Sequence, residues 1–153
     1  MLLSQKCQYA LRAIFEVAKR AGEGPIKIDA IAASQAIPPR FLAAILHQLK
    51  QGGFVQSKRG AEGGYLLARP PRQISVGDII RFIDGPVAPV ACIAHEEETS
   101  KCPLRGGCVF MSMWKEVQQA MQNVYQKTTI QELIEREANM TDRAEPCIAS
   151  YVI

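Results

Sequence analysis

The stretch RFLAAILHQLKQGGFVQSKRGAEGGYLLARP, residues 40–70, changes its hydrophobic periodicity halfway along. In its first half apolar residues recur every three or four positions, which predicts a helix that ends at the Gly52-Gly53 pair. Its second half holds two short runs of β-prone residues with the glycine-bearing RGAEGG between them, which predicts a β-hairpin. We expect the helix to bury five residues, namely Phe41, Leu42, Ile45, Leu46 and Leu49.

Two further helices are predicted upstream of this stretch. Apolar residues from Tyr9 to Ala18 recur at helical spacing, and a GEGP sequence ends that helix. Asp29 is suited to cap a second, short helix, and AIPPR at 36–40 restarts the chain with prolines suited to a first helical turn. Two helices joined by a tight turn form a helix-turn-helix, and a hairpin directly after them is a wing. The sequence therefore predicts a mainly α fold with a small β-hairpin, in which residues 1–85 form a winged helix-turn-helix domain.

The charge of the chain is divided between its two halves. Residues 1–75 contain eleven Lys and Arg against four Asp and Glu, a net charge of +7. Residues 76–153 contain seven against eleven, a net charge of −4, which leaves +3 for the whole chain. A basic first half favours a polyanionic partner such as nucleic acid, although ordinary solvated faces would give the same composition.

Five residues of the first domain are candidates for contact with DNA. Arg40 begins the second helix of the pair and is suited to reading a base edge, ideally that of guanine. Gln48 and Lys50 on the same helix are suited to contacting phosphate or supporting the fold. Lys58 and Arg59 lie at the tip of the predicted wing, within reach of a phosphate or a narrow minor groove. The alternative is an exposed hairpin whose basic residues are only solvated.

The ISVGDIIRFIDGP sequence predicts the next helix. Ser75 is suited to cap it together with Asp78, three residues further on, and Gly85-Pro86 ends it. The winged domain therefore closes with a helix of its own before the composition changes.

The segment CIAHEEETSKCPLRGGC, residues 92–108, spaces Cys92, Cys102 and Cys108 as C-x9-C-x5-C. The short C-x2-C pairs that are typical of structural zinc do not occur in it. Wider spacing in a glycine-bearing loop suits a larger group such as an iron–sulfur cluster, whose usual ligands are thiolates. Three soft thiolates are better ligands for such a cluster than for calcium or magnesium ions, despite the acidic run Glu96–Glu98. From spacing alone, reactive thiols or cysteines without a role remain open.

Three parts of the chain carry a family resemblance: SQKCQYALRAI near the start, SKRGAEGGYLLARPPRQISVGDIIRFIDG in the middle, and the cysteine-rich segment after it. Together they resemble the IscR/NsrR/CymR family of winged-helix regulators, from Leu3 to about Lys127. The most specific motif is the RGxxGGYxLA wing followed by the ISVxDII helix. The resemblance implies a homodimer that binds palindromic double-stranded DNA. It also implies that the three cysteines hold an iron–sulfur cluster, as in many members of the family.

The fourth ligand of such a cluster is where the sequence departs from the family pattern. Some relatives place a His one turn after the last cysteine, and that position is Met111 here. Others use a carboxylate near the start of the first helix, and that position is Gln8, beside Cys7. His95, the acids Glu96–Glu98, and an exogenous thiol or water are further candidates. Both 2Fe–2S and 4Fe–4S clusters are therefore compatible with the sequence.

A long helix is predicted after the cysteine-rich loop, which spans residues 86–108. A domain this small has little surface left that could pack against the apolar stripe of this helix. We therefore expect a dimerisation helix, with a short helix following it inside residues 109–138. Residues 139–153 are expected to form a flexible tail, in which Cys147 is incidental. The apolar stripe of the long helix recurs at spacings of three and four and consists of Phe110, Met113, Trp114, Val117, Met121 and Val124.

These features favour a DNA-binding transcriptional regulator, expected to repress, that senses iron, redox state or nitric oxide through the cluster. We expect a cytoplasmic protein with no membrane association and no enzymatic activity, because we find no signal peptide, spanning segment or substrate-pocket pattern. Loss or oxidation of the cluster would alter the spacing of two DNA-reading units that must meet major grooves about 34 Å apart. The alternatives are a cluster-free regulator, controlled by thiol oxidation or by binding a metabolic enzyme, and an iron–sulfur redox carrier.

Overall fold

Ten helical and strand elements follow one another in the computed structural model, which describes residues 3–141. The Cys147 prediction and most of the predicted tail lie outside the described residues. A single 3-10 turn at Pro71–Gln73 separates the hairpin from the next helix. The elements are α1 (Gln5–Lys19), α2 (Ile28–Gln35), α3 (Pro39–Gln51), β1 (Val55–Lys58), β2 (Gly64–Leu67), α4 (Val76–Asp84), α5 (Ala91–Ala94), α6 (Glu96–Lys101), α7 (Met111–Lys127) and α8 (Ile130–Thr141). This order confirms a mainly α winged-helix fold with a small hairpin.

Local sequence signals set the ends of α3 and α4. The Ser75 hydroxyl accepts a hydrogen bond from the Asp78 backbone N–H at 3.0 Å, and the Asp78 carboxylate accepts from the Ser75 N–H at 3.2 Å, so the predicted capping box of α4 is confirmed. α3 begins at Pro39 and ends with Gly52 as its C-cap, as predicted. The cap of α2 was predicted wrongly. Lys27 occupies that position without a side-chain cap, and Asp29 lies in the first turn, where its charge still suits the helix dipole.

The residues predicted to be buried on α3 include one error. Leu42, Ile45, Leu46 and Leu49 are at most 3% exposed, whereas Phe41 is 47% exposed. Successive residues of a helix point about 100° apart, so Phe41 lies on the flank of the line that the four buried residues form. Tertiary packing on one face, rather than hydrophobicity, decides which of the five side chains is left out.

The two strands form one antiparallel hairpin, in a register that pairs Lys58 with Gly64. On its other edge Tyr65 exchanges two backbone hydrogen bonds of 2.9 Å with Ile26, in the link between α1 and α2. A Cβ atom on Gly64 would lie 2.5 Å from the Ile26 carbonyl oxygen, so this close approach requires glycine. The glycines of the wing therefore dock the hairpin on the helical domain.

The core of the domain is built around α1, which packs against α2, α3, α4 and α8. Ala13, Ile14 and Val17 of this helix are at most 2% exposed. α8 returns to α1, with Ile130 fully buried and an ion pair of 2.7 Å between Lys19 Nζ and Glu137 Oε2. The helix predicted after the long one therefore belongs to the same core as the winged domain. No helix within residues 3–141 has the length and apolar character needed to cross a lipid bilayer.

The cysteine-rich loop is more ordered than the sequence pattern predicts. It contains the single helical turn α5 and the six-residue helix α6. Helices this short span fewer than two turns, so they leave no recognisable periodicity in the sequence, and they are not stable without the rest of the fold. α7 follows at Met111 and packs on α4.

Candidate functional site

The turn between α2 and α3 fixes the helix-turn-helix. Ala36 adopts a left-handed conformation with φ of 48°. The buried Ile37 then donates its N–H to the Ala32 carbonyl at 3.0 Å, and Pro38 provides the extended residue before α3. Only residues 36–38 connect α2 to α3, which confirms the predicted tight turn.

A buried carboxylate fastens α1 to α2. Glu16 is 2% exposed and accepts hydrogen bonds from Arg20 Nε at 2.7 Å and from Gln35 Nε2 at 2.8 Å. Burial alone would raise the pKa of Glu16, but hydrogen bonds from Gln35 and Ser34 and the charge of Arg20 hold it below its usual value. Sequence analysis missed this cluster, although the spacing of four between Glu16 and Arg20 was a visible signal.

The outward face of α3 carries positive charge and no carboxylate. Opposite the buried line of this helix lie Arg40, Ala44 and His47, all exposed. The guanidinium carbon of Arg40 lies 4.6 Å from the centroid of the Phe41 ring, a cation–π contact that orients the Arg40 side chain. This face is suited in shape and sign to a polyanion.

The other predicted DNA contacts lie beside this face. Gln48 is half-buried, and Lys50 Nζ donates to Ser57 Oγ on β1 at 2.7 Å, which ties α3 to the wing. Lys58 at the end of β1 and Arg59 after it are exposed. Lys50 thus has a supporting contact within the protein, while the two wing residues extend into solvent.

The three cysteines lie at the borders of the short helices. Cys92 is in α5, Cys102 directly follows α6, and Cys108 precedes α7; all three are half-buried. Among the side chains that the structure describes within residues 3–141, no group of three or more His, Cys, Asp or Glu is close enough to hold a metal ion. Three accessible thiols on one segment fit an iron–sulfur cluster in donor chemistry and access. The segment would have to change conformation to gather them.

The candidates for a fourth ligand differ in environment. Cys7 is fully buried with Ile80 and Val87, and burial, followed by the charge and hydrogen bond of Asp84, raises its pKa to about 12. A metal ligand must be a thiolate, so this environment favours a packed thiol. Gln8 is exposed and donates from Nε2 to the Leu3 carbonyl at 3.1 Å.

His95 is a further candidate, whereas Met111 only occupies the position at which some relatives have a His. His95 is exposed at the end of α5, and Met111 begins α7. His95, Glu97 and Glu98 line an open cavity of about 630 Å³ together with Ala94. The two carboxylates make this cavity, which lies two to six residues after Cys92 in the chain, a suitable environment for a cationic or metal-containing group, although the three cysteines do not line it.

Hydrogen bonds hold the start of the cysteine-rich loop against both α1 and α7. The Asp84 carboxylate accepts from the Ser4 backbone N–H at 2.8 Å and from the Ser4 hydroxyl at 2.5 Å. The same hydroxyl accepts from the Cys7 N–H at 3.0 Å and so caps α1. Three residues after Asp84, the Val87 carbonyl accepts from Gln118 Nε2 of α7 at 3.0 Å. Sequence analysis missed this junction, which connects α1, the cysteine segment and α7.

α7 has no buried residue in the single chain. Along the predicted stripe Phe110, Met113, Val117 and Val124 are exposed, by between 37% and 63%. Met121 instead packs against Ile80 and Val87 within the chain, and Trp114 is half-buried. The helix therefore uses one side for its own domain and leaves an apolar side uncovered.

Comparison with known proteins identifies relatives of the whole arrangement. The Rrf2 model, described as an iron-dependent transcriptional regulator, matches residues 3–136. MT1325 of Mycobacterium tuberculosis, whose name places it among HTH-type transcriptional regulators, is 40% identical over 131 residues, covering 85% of this chain and 79% of the relative.

Two solved structures resemble the chain over most of its length. CymR, described as the global cysteine regulator of B. subtilis, has a TM-score of 0.72 and 32% identity, covering 89% of this chain and 98% of that chain. IscR of T. potens has a TM-score of 0.73 and 31% identity, covering 95% of this chain and 93% of the other. These similarities confirm the family that the motifs of the wing and of α4 indicated.

Proposed function

Because the chain belongs to the Rrf2 family of transcriptional regulators, we propose that it binds palindromic double-stranded DNA as a homodimer and represses transcription in the cytoplasm. The observation that carries this proposal is the exposed, carboxylate-free face of α3 next to the basic wing. Both features have the positive charge and the position in the fold that binding to a DNA duplex requires. The relatives named above are regulators rather than enzymes, which supports a binding function over a catalytic one.

We assign the DNA contacts by their chemistry. Arg40 reads a base edge in the major groove, because it lies in the first turn of α3 and its guanidinium can donate two parallel hydrogen bonds to guanine. Lys58 and Arg59 contact phosphates from the wing. Lys50 and Gln48 hold α3 in register, and Lys50 adds positive charge beside a phosphate.

The exposed side of α7 forms the dimer interface. An uncovered stripe of large apolar residues over four turns is favourable only when a second surface covers it, and a second copy offers a matching one. The stripe, from Phe110 to Val124, then sets the distance between the two α3 helices. That distance must match about 34 Å, one turn of DNA.

Cys92, Cys102 and Cys108 hold an iron–sulfur cluster, with the donor chemistry described above in support. When bound, a 2Fe–2S or 4Fe–4S centre supplies sensitivity to iron supply, oxygen or nitric oxide. His95 and Gln8 are the exposed candidates for completing the ligand set, whereas Cys7 is disfavoured by its burial.

The path from the cysteines to the DNA runs through the junction at Asp84. Asp84 holds the N-cap of α1, and α1 packs directly on α3. A change in the segment that follows Asp84 therefore acts on α1, which supports α3, the proposed recognition helix. Through Val87 and Gln118 the same change acts on α7 and so on the angle between the two protomers.

A second candidate is regulation by the thiols themselves, without a cluster. It is favoured by similarity to a global cysteine regulator and by the separation of possible metal ligands among the side chains that the structure describes. In this mechanism two half-buried thiols such as Cys102 and Cys108 form a disulfide, releasing two protons and giving two electrons to an oxidant such as a peroxide. The same junction at Asp84 would transmit the change.

Anaerobic purification followed by iron and sulfide analysis distinguishes the two candidates. The cluster proposal predicts stoichiometric iron and sulfide, visible absorption from charge transfer between thiolate and iron, and loss of both in the Cys92→Ala, Cys102→Ala, Cys108→Ala triple variant. Iron-free protein whose DNA affinity changes with peroxide would support thiol control instead. Failure to retain any DNA sequence from a random duplex library would contradict the regulatory proposal itself.

A further inference from the structure

The recognition helix presents an apolar surface beside its cationic one. Phe41, Ala43 and Ala44 are all exposed on α3, and none of their side chains can donate or accept a hydrogen bond. Phe41 lies on the flank of α3, next to Arg40 and Ala44 of the face proposed to meet DNA, so an apolar group of the DNA could contact it there. Major-groove base edges carry one apolar group, the 5-methyl of thymine.

A pocket lies where this apolar surface meets α1. Its volume is about 340 Å³, and its walls are mainly apolar. Arg40, stacked on the Phe41 ring at 4.6 Å, and Lys6 of α1 give the rim positive charge. The residues that line the pocket are Gln5, Lys6, Tyr9, Phe41, Ala44 and Ile45.

We propose that Phe41 and Ala44 form a contact surface for a thymine 5-methyl group in the major groove, so that they determine sequence specificity. The inference rests on the proposed function, because it takes DNA as the partner of α3. Charge favours this occupant: residues 1–75 have a net charge of +7, and the cationic rim suits the phosphates that flank any base. An apolar small molecule would gain nothing from that rim.

The expected size of the effect follows from the burial of one methyl group. Moving a methyl group from water into an apolar contact favours binding by about fourfold. A symmetric dimer makes the contact in both half-sites, so removing both methyl groups should weaken binding by about sixteenfold if the two contacts are independent.

The test replaces thymine by deoxyuridine, which removes the methyl group and leaves every hydrogen-bonding group in place. Duplexes bound by the full-length protein are first selected from a random library. Each thymine of the consensus is then replaced in turn, in both half-sites, and affinity is measured by fluorescence anisotropy. We expect one symmetric pair of thymines at which replacement weakens binding by about sixteenfold, and no loss at most other positions.

Variants assign the contact to the pocket. Phe41→Ala should bind the thymine and deoxyuridine duplexes with nearly equal affinity, and Phe41→Leu should restore part of the preference for thymine. Lys58→Ala is the matched control: it should weaken both duplexes while leaving their affinity ratio unchanged. If Phe41→Ala does not fold by circular dichroism, Ala44→Ser tests the same surface, because a hydroxyl there disfavours the methyl contact.

Two results would overturn the proposal. One is wild-type protein that binds every deoxyuridine duplex as tightly as the thymine duplex. The other is a thymine preference that Phe41→Ala and Ala44→Ser both leave intact. Failure of the proposed function looks different, since the library would then yield no consensus at all.

Discussion

Replacing Glu16 by Gln tests whether the buried carboxylate holds the helix-turn-helix together. In the wild type the carboxylate accepts from Arg20 at 2.7 Å and from Gln35 at 2.8 Å. An amide has only one oxygen, and its own N–H groups would face a second donor, so at least one of these bonds is lost. Hydrogen bonds to a charged group contribute about 1.5–3 kcal/mol, and partial exposure of Arg20 lets water replace part of the loss. We therefore expect the free energy of unfolding to fall by about 2 kcal/mol, which lowers Tm by about 4–8 °C for a chain of this size.

The lowered pKa of Glu16 also predicts how the stability difference changes with pH. Since the folded-state pKa of Glu16 lies below its usual value of 4.5, the carboxylate contributes stability that is fully present above that value. This contribution is lost as pH falls through the lower, folded-state pKa. The gap in stability between the wild type and Glu16→Gln should therefore be largest near neutral pH and shrink below about pH 4.

Urea unfolding followed by circular dichroism measures the gap, at one fixed protein concentration because the proposed dimerisation would also stabilise the fold. Glu23→Gln, at an exposed position just beyond the same helix, is the control and should leave stability unchanged within about 0.5 kcal/mol. Equal stability of Glu16→Gln and wild type at pH 7, or a gap that widens on acidification, would refute the reasoning.

Three further predictions concern assembly, DNA binding and the stability of the α1 cap. Met113→Glu with Val117→Glu should give monomers in sedimentation and weaken DNA binding, and variants that stay dimeric would place the interface elsewhere. Lys58→Ala and Arg59→Ala should each reduce the slope of log affinity against log salt by about one, as expected for one lost phosphate contact; an unchanged slope would leave the wing without a phosphate contact. Ser4→Ala removes the cap of α1 and should lower the unfolding free energy by about 1 kcal/mol in urea titrations, and no change would mean that Asp84 alone fixes this end.

The parts of the fold that follow from local chemistry could be predicted from the sequence. Ser75 and Asp78 form their capping box within four residues, and Gly53, with a left-handed φ of 70°, ends the helical path directly after the C-cap Gly52. The glycines of the wing are needed by a backbone that passes close to itself and to Ile26. In each case the residues that decide the structure are near one another in the chain or belong to a motif with a defined geometry.

The parts that depend on distant partners could not be predicted. Glu16 is buried because Gln35 reaches it from another helix, and Phe41 is exposed because four neighbours already fill the core side of α3. The link between Asp84 and Ser4 joins residues 80 positions apart. Spacing identified Cys102 and Cys108 as thiols of one segment but did not predict the short helices that separate the three cysteines.

The central claim is that the cysteine segment controls DNA affinity. Its most direct test is the affinity of the anaerobically purified protein and of its Cys92→Ala, Cys102→Ala, Cys108→Ala variant for the same selected duplex, at one salt concentration. A ligand shifts a conformational equilibrium only by its differential affinity for the two states, and such coupling is typically about 1–3 kcal/mol. The account predicts that the two affinities differ by about 5–150-fold. Equal affinities for every selected duplex would contradict it, even if the purified protein contained iron and sulfide.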